Sequence, residues 1–307
     1  MSLKNISAAS PAVVETPEKN SKAKGLLLSI VGAPSFLSIV ILIVFIAVWH
    51  VLTVGSGGSS TGTLSEYDKL MGKTASTSAS GGSIPSPGAV LQRAIELARY
   101  AFDTSNPNNV GIVIHLLNSL GRVLLGYVIA VAVAVPLGFA IGLMPRLHKA
   151  LDPFIQILKP VSPLAWMPLA LYTLKDSNAS AIFIIFICSL WPMLINTAVG
   201  AASVRQDWVN VSRVLGLPWH TKVLRIVFPA SVPLILTGMR ISIGIAWFVI
   251  VAAEMVVGQN GIGYFIWNEW NNLQISSMIV AIVLIGIVGL ALDQALAKIA
   301  SALSFRE

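Results

Sequence analysis

The chain has 307 residues, 55% of them hydrophobic and only 11% charged, and its mean hydropathy is +0.81. A soluble domain is about 45–50% apolar and about 25% charged, so this composition excludes an ordinary water-soluble protein and makes a bilayer the solvent for much of the chain. The net charge of +7 does not point to a nucleic acid partner, because the basic residues lie mainly in short segments between long apolar runs, which is a topological pattern.

Residues 1–24 contain Pro11, Pro17 and four lysines (Lys4, Lys19, Lys22, Lys24), the composition of a disordered tail. The apolar run that follows is too long and starts too late for a cleaved signal, so it is expected to be a retained span. A transmembrane helix needs about 20 mainly apolar residues. Six runs qualify, at 26–54, 112–144, 151–174, 179–204, 232–257 and 275–303; five is the alternative count, because Arg240 interrupts the fifth. They are continuously apolar rather than alternating, so the fold class expected is all-α and polytopic.

Between the first two runs, residues 55–86 are rich in Gly, Ser and Thr and read as linker. Residues 89–102 then show helical periodicity with charge on one face, which predicts a short helix at the membrane surface. Arg122 falls near the outer end of the second run, where it can snorkel. Gly138 and Gly142, four apart in the same run, fit a close helix–helix contact. Lys159, Pro160 and Pro163 interrupt the third run; two prolines so close free backbone carbonyls and bend a helix, either as a kink or as a gate. The single cysteine, Cys188, lies inside the fourth run and allows no intrachain disulfide.

Sidedness follows from Lys and Arg. With the N-terminus in the cytoplasm, twelve basic residues fall on that side and five on the other, the five being matched by acids such as Glu66, Asp68, Glu96 and Asp103. The positive-inside rule then predicts both termini in the cytoplasm.

The connection between the fourth and fifth runs, 204–229, is far longer than a helical hairpin needs. Its pattern is helix, break, helix. Residues 204–215 are amphipathic, with Trp208, Val211 and Leu215 on one face; Gly216 suits the left-handed residue that ends a helix, and Pro218 the first turn of the next. The second helix continues from Trp219 until Pro229 ends it or kinks the chain into the next span. A basic and apolar helix–Gly–helix element is either a docking surface or an ordinary interfacial helix pair.

Gly216, Ile226 and Pro229 have the spacing of the EAA loop, and the segment resembles that loop in the permease subunits of bacterial ABC importers. The leading Glu-Ala-Ala is replaced here by Asn210-Val211-Ser212, so the docking role carries over but the acidic contact does not. Further stretches, Leu151-Asp-Pro-Phe154, Pro163-Leu-Ala-Trp-Met-Pro168, Ser189 to Thr197, Ala252-Ala-Glu-Met255 and Gly261-Ile-Gly-Tyr264, are similar to permeases for nitrate, bicarbonate, taurine and alkanesulfonates. The wording of 180–196 and 263–267 is most similar to the nitrate/nitrite branch.

The resemblance implies a type I ABC importer permease fold in the bacterial inner membrane. It implies a second copy of the chain, two ABC ATPase subunits that carry ATP and Mg, and an extracytoplasmic substrate-binding protein. The organisation expected is a tail (1–24), a first transmembrane helix (25–54), an extracytoplasmic segment with a surface helix (55–110), and a core permease domain (111–304) with its coupling loop at 204–229. Within that loop Asn210, Arg213, Gly216, Leu217, Pro218, Trp219, His220 and Pro229 are the candidate ATPase contacts. The substrate implied is nitrate, with nitrite or cyanate as companions and bicarbonate, taurine or an alkanesulfonate as alternatives.

Past the loop, Arg240, Gly244, Trp247, Val251, Glu254 and Gly258 recur at spacings of three and four, on one helical stripe. Intramembrane charges are costly and usually face a bundle interior or a watery path. The stripe lines the translocation path or dimer seam, or else Arg240 snorkels while Glu254 bonds to a neighbouring helix. At 1.5 Å per residue the two charges stand roughly 21 Å apart and do not pair.

No catalytic or metal-binding constellation is expected. Gly72-Lys73-Thr74 lacks the glycine that a phosphate loop needs five residues earlier, where Tyr67 stands, and His50, His115, His148 and His220 are scattered. A self-sufficient secondary transporter or channel would favour internal repeats and lack the long loop.

Overall fold

The computed structural model describes residues 34–56, 84–103 and 110–303, and every regular element among them is helical. The proposed tail 1–24 and most of the Gly/Ser-rich segment lie outside the described residues. Helix α1 (Pro34–Ser56) belongs to a unit of its own; its apolar stretch Leu37–Thr53 exposes Leu37, Ile41, Ile43 and Phe45, as a helix clothed by lipid would.

The second unit starts with α2 (Pro87–Arg99), the short helix expected near 89–102. The Ser86 hydroxyl caps it by accepting the Ala89 N–H. Then come α3 (Ile112–Leu143), α4 (Pro145–Leu158), a 3-10 turn at Pro163–Trp166, α5 (Met167–Leu174), α6 (Ser177–Ala202) and α7 (Gln206–Val214). The chain continues as α8 (Trp219–Val257), α9 (Ile262–Asn271) and α10 (Ile275–Leu303).

Among the described residues four helices, α3, α6, α8 and α10, are long and apolar enough to cross a membrane; a fifth span results if the pair α4 and Pro163–Leu174 is counted as one. That pair departs from the single kinked span expected over 151–174, because the chain turns through 87° between its halves. The cause is local. Pro160 and Pro163 cannot donate N–H groups, and Ser162 is held extended at ψ 127 before the proline. α4 also starts earlier than expected and is amphipathic, with Phe154 and Ile157 exposed.

The fifth span departs in the opposite sense. Pro229 neither ends nor breaks the helix, and α8 runs for 39 residues. A π-turn at Val223–Val227 precedes it, and the Phe228 N–H reaches back five residues to the Val223 carbonyl. The proline thus enters at a turn already rewound to do without its N–H.

α6 is the centre of the bundle, packed on one side by α3 and on the other by α8. Ile184, Ile185, Met193 and Leu194 are sealed there. The expected contact of Gly138 and Gly142 is with α6: a Cβ on Gly138 would stand 2.6 Å from Thr197 Cβ, so only glycine lets the helices approach so closely. Polar pins join α8 to its neighbours. Tyr127 donates to the Met239 carbonyl (3.0 Å), Ser242 to the Ser189 carbonyl (2.8 Å) and the Trp247 indole to the Ile285 carbonyl (3.0 Å). α10 is the outermost span, with about a tenth of its apolar window buried against half of α6's.

Candidate functional site

The connection between α6 and α8 is built as a rigid knuckle. α7 ends at Val214, and Gly216 takes φ +62. Gly216 N–H donates to the Arg213 carbonyl (3.0 Å) and Leu217 N–H to the Ser212 carbonyl (3.1 Å), the paired bonds of a Schellman cap. Pro218, at ψ 153, is the N-cap of α8 rather than a member of its first turn. The knuckle leaves Val214 (87% exposed), Leu215 and Trp219 bare, with Asn210, Arg213 and His220 exposed beside them. Such contiguous apolar surface beyond the end of a span is what a partner would cover. Leu217 is half-buried in the turn, while Pro218, exposed, fixes the backbone at the start of α8.

The three residues that replace Glu-Ala-Ala differ in their surroundings. Asn210 and Val211 are exposed, whereas Ser212 is buried and its hydroxyl donates to the Val209 carbonyl at 2.6 Å. Trp208 and Val211 face a cleft of about 880 Å³ whose far wall is Ile226, Pro229 and Pro233; the Arg205 guanidinium lies 5.9 Å over the Trp208 ring.

Two ion pairs lie along the spans. At the end of α8 remote from the knuckle, Glu254 is 1% exposed. One carboxylate oxygen accepts from Arg122 Nη1 (2.7 Å); the other accepts from the Ser119 hydroxyl (2.8 Å) and the Gly263 N–H (3.0 Å). Ser119 Oγ in turn accepts the Ile262 N–H at 2.9 Å. The first turn of α9 therefore has its free amides capped by side chains of α3 and α8, where Gly261, its own N-cap residue, has none to offer. A Cβ on Gly261 would run into the Glu254 carboxylate, and one on Gly263 into the Val251 carbonyl.

The second pair is open. Arg240 grips Asp293 of α10 through two parallel bonds, Nε to Oδ1 (2.5 Å) and Nη2 to Oδ2 (2.6 Å), with the side chains 51% and 41% exposed.

Residues 132–304 match the family model for the binding-protein-dependent transport system inner membrane component. The chain belongs to that family. It is 46% identical over 224 residues to the nitrate import permease protein NrtB of Synechocystis sp., an alignment covering 73% of this chain and 82% of that one. It is 45% identical over 202 residues to the bicarbonate transport system permease protein CmpB of the same organism, covering 66% and 72%. A solved structure, the inward-facing MetNI methionine ABC transporter, has one chain that superposes with a TM-score of 0.57 at 14% identity, over 63% of this chain and 96% of that one; it shows the type I ABC permease fold. The protein is accordingly a multi-pass transport subunit of the inner membrane and not an enzyme.

Within this permease the polar stripe of α8 divides. Trp247 and Glu254 are enclosed by α10, α3 and α9, while Arg240 and Gly244 face outward, with nothing within 4 Å of where a Gly244 Cβ would stand. Arg122 does not snorkel; it is the partner of Glu254. Lys159 and Pro160 are exposed at the 87° bend, and Lys159 borders a cavity of about 360 Å³ with His148 and Asp152 on its polar rim and Ile141 and Leu194 on its floor. Asp293 was not singled out from the sequence. Its only signal there is that it is the one acid inside the last apolar run, as Arg240 is the one base inside the preceding run. Among the described residues no group of three or more His, Cys, Asp or Glu is placed to hold a metal.

Proposed function

We propose that this chain, as a homodimer, forms the membrane channel of an ATP-driven importer of a small inorganic anion, nitrate, working by alternating access. The observation that carries the substrate is the 46% identity to a nitrate import permease across 82% of its length. Bicarbonate is the second reading, favoured by the 45% identity to a bicarbonate permease. Two ABC ATPase subunits, holding ATP and Mg, dock from the cytoplasm on the knuckle formed by Asn210, Arg213, Gly216, Leu217, Pro218, Trp219, His220 and Pro229. A substrate-binding protein delivers the anion on the opposite face, and both termini are cytoplasmic. The exposed apolar triad Val214, Leu215 and Trp219 supports the docking role.

Of the stripe residues, Arg240 and Gly244 line the path or the seam between copies, and Trp247 and Glu254 hold the wall behind them. The Arg240 fork suits a planar oxyanion as well as it suits the Asp293 carboxylate, so an anion can exchange with Asp293 in passing instead of lodging. Lys159, Pro160 and Pro163 form the hinge of a gate at the bend.

The test is uptake of labelled nitrate, with labelled bicarbonate in parallel, into proteoliposomes holding this chain with its ATPases and binding protein. ATP-dependent nitrate uptake is expected. It should be abolished by Gly216→Pro, since proline cannot take φ +62 and the knuckle must unfold. Nitrate uptake by the chain without ATPases would overturn the mechanism, and uptake of bicarbonate alone would overturn the substrate.

A further inference from the structure

Helix α2 carries more apolar surface than the bundle uses, and it carries it in a separate stripe. Val90, Ala94 and Leu97 face the bundle with Arg93 beside them, and Leu97 packs against Phe265 and its neighbours. Arg93 Nε donates to Ser277 Oγ in the first turn of α10 at 2.8 Å, and its Nη2 lies 4.0 Å from Glu269 of α9. Past the helix end, the Ala101 carbonyl accepts the Val113 N–H of α3 (3.2 Å). The helix is thus tied to three elements.

At about 100° per residue, Leu91, Ile95 and Ala98 fall on a second stripe roughly 110° round from the first. Leu91 is 63% and Ile95 49% exposed, and Phe102, in the turn that follows, is 72% exposed. Gln92, Glu96 and Arg99 fall about 100° further on, all exposed. Three sectors, one on protein, one apolar and bare, one polar and bare, are what a helix needs when it lies along a bilayer beside a protein wall.

The neighbours set its level. Ser277 is near the start of α10, whose exposed Ile282, Val283 and Ile287 continue as apolar surface along the span. Glu269 stands between Trp267 and Trp270, both exposed and in ring contact at 5.0 Å, the residue type that gathers where acyl chains meet headgroups. A protein arriving from water would meet the polar sector, so the apolar sector is left for lipid.

We infer that α2 lies in the surface of the leaflet opposite the α7 knuckle, with Leu91, Ile95 and Phe102 among the upper acyl chains, and that it fixes α9 and the start of α3 at the lipid–water boundary. The inference rests on the chain being a membrane-spanning permease and not on its substrate.

The assembled transporter in proteoliposomes tests it, with single cysteines introduced as Leu91→Cys, Ile95→Cys, Gln92→Cys and Glu96→Cys and labelled with a nitroxide. Cys188 is buried, so the chain without an added cysteine is the blank. Retained ATPase activity in each labelled variant certifies the fold. The ratio of collisions with oxygen to collisions with a water-soluble nickel chelate should be several-fold higher at 91 and 95 than at 92 and 96. Equal nickel access at all four positions would overturn the inference. So would protection of 91 and 95 that appears only when the substrate-binding protein is added, which would make the stripe a protein-docking face. Because the readout is depth, an importer of some other solute would give the same result.

Discussion

Glu254 and Arg122 are the residues on which the far end of the bundle depends. Both are nearly sealed, at 1% and 11% exposure, so removing one leaves the other as an uncompensated buried charge. Glu254→Ala and Arg122→Ala should each cost about 3–5 kcal/mol, and the double variant should lose clearly less than their sum. Thermal unfolding of the detergent-solubilised protein measures all three, and strict additivity would show that the pair is not an energetic unit. Arg240 is the contrast. Its pair with Asp293 is half exposed, so Arg240→Gln should leave the unfolding midpoint nearly unchanged while lowering nitrate uptake. Intact uptake in that variant would remove the main support for a path along this face.

At the level of elements, the knuckle depends on a single backbone conformation. A left-handed residue with a Cβ costs about 1–2 kcal/mol, and Asn tolerates the region better than Ala. Gly216→Ala should therefore lower ATP hydrolysis stimulated by the binding protein, and Gly216→Asn should lower it less, with both variants inserted in the membrane in normal amounts. Equal loss with both would place the defect in a side-chain clash at the docking surface and not in the turn. The helix break, the glycine and the following proline were legible in the sequence because caps are local chemistry written in adjacent residues. The course of α8 through Pro229 was not, since whether a proline ends a helix or enters it at a π-turn depends on what the next turn packs against. The 87° bend at Pro160 and Pro163 shows the same limit: two prolines announce a break but say nothing of its angle.

For the whole molecule, the closeness of α3 to α6 decides whether the bundle closes. Gly138→Ala should destabilise by about 1–3 kcal/mol, because its Cβ meets Thr197 and the Leu194 carbonyl and one helix must move. Gly121→Ala, on the same helix with nothing within 4 Å of its Cβ, should instead stabilise slightly, by up to about 1 kcal/mol. Unfolding midpoints of the two variants compare them directly, and equal shifts would mean that helix propensity, not the seam, sets the effect.

By itself the sequence determined the solvent, the helical class, the family-like loop and the turn chemistry of the knuckle. Hydropathy, periodicity and capping act over a few residues, so they can be read along the chain. Only the tertiary structure decided which intramembrane charges are sealed and which are open. Arg122 and Glu254 are 132 positions apart, and Arg240 and Asp293 are 53 apart on different helices. The stripe on α8 was real as periodicity, but which of its members meet a neighbour depends on how α3, α9 and α10 are arranged around it. A single helix does not encode that arrangement, because burial belongs to the packed bundle and not to the chain.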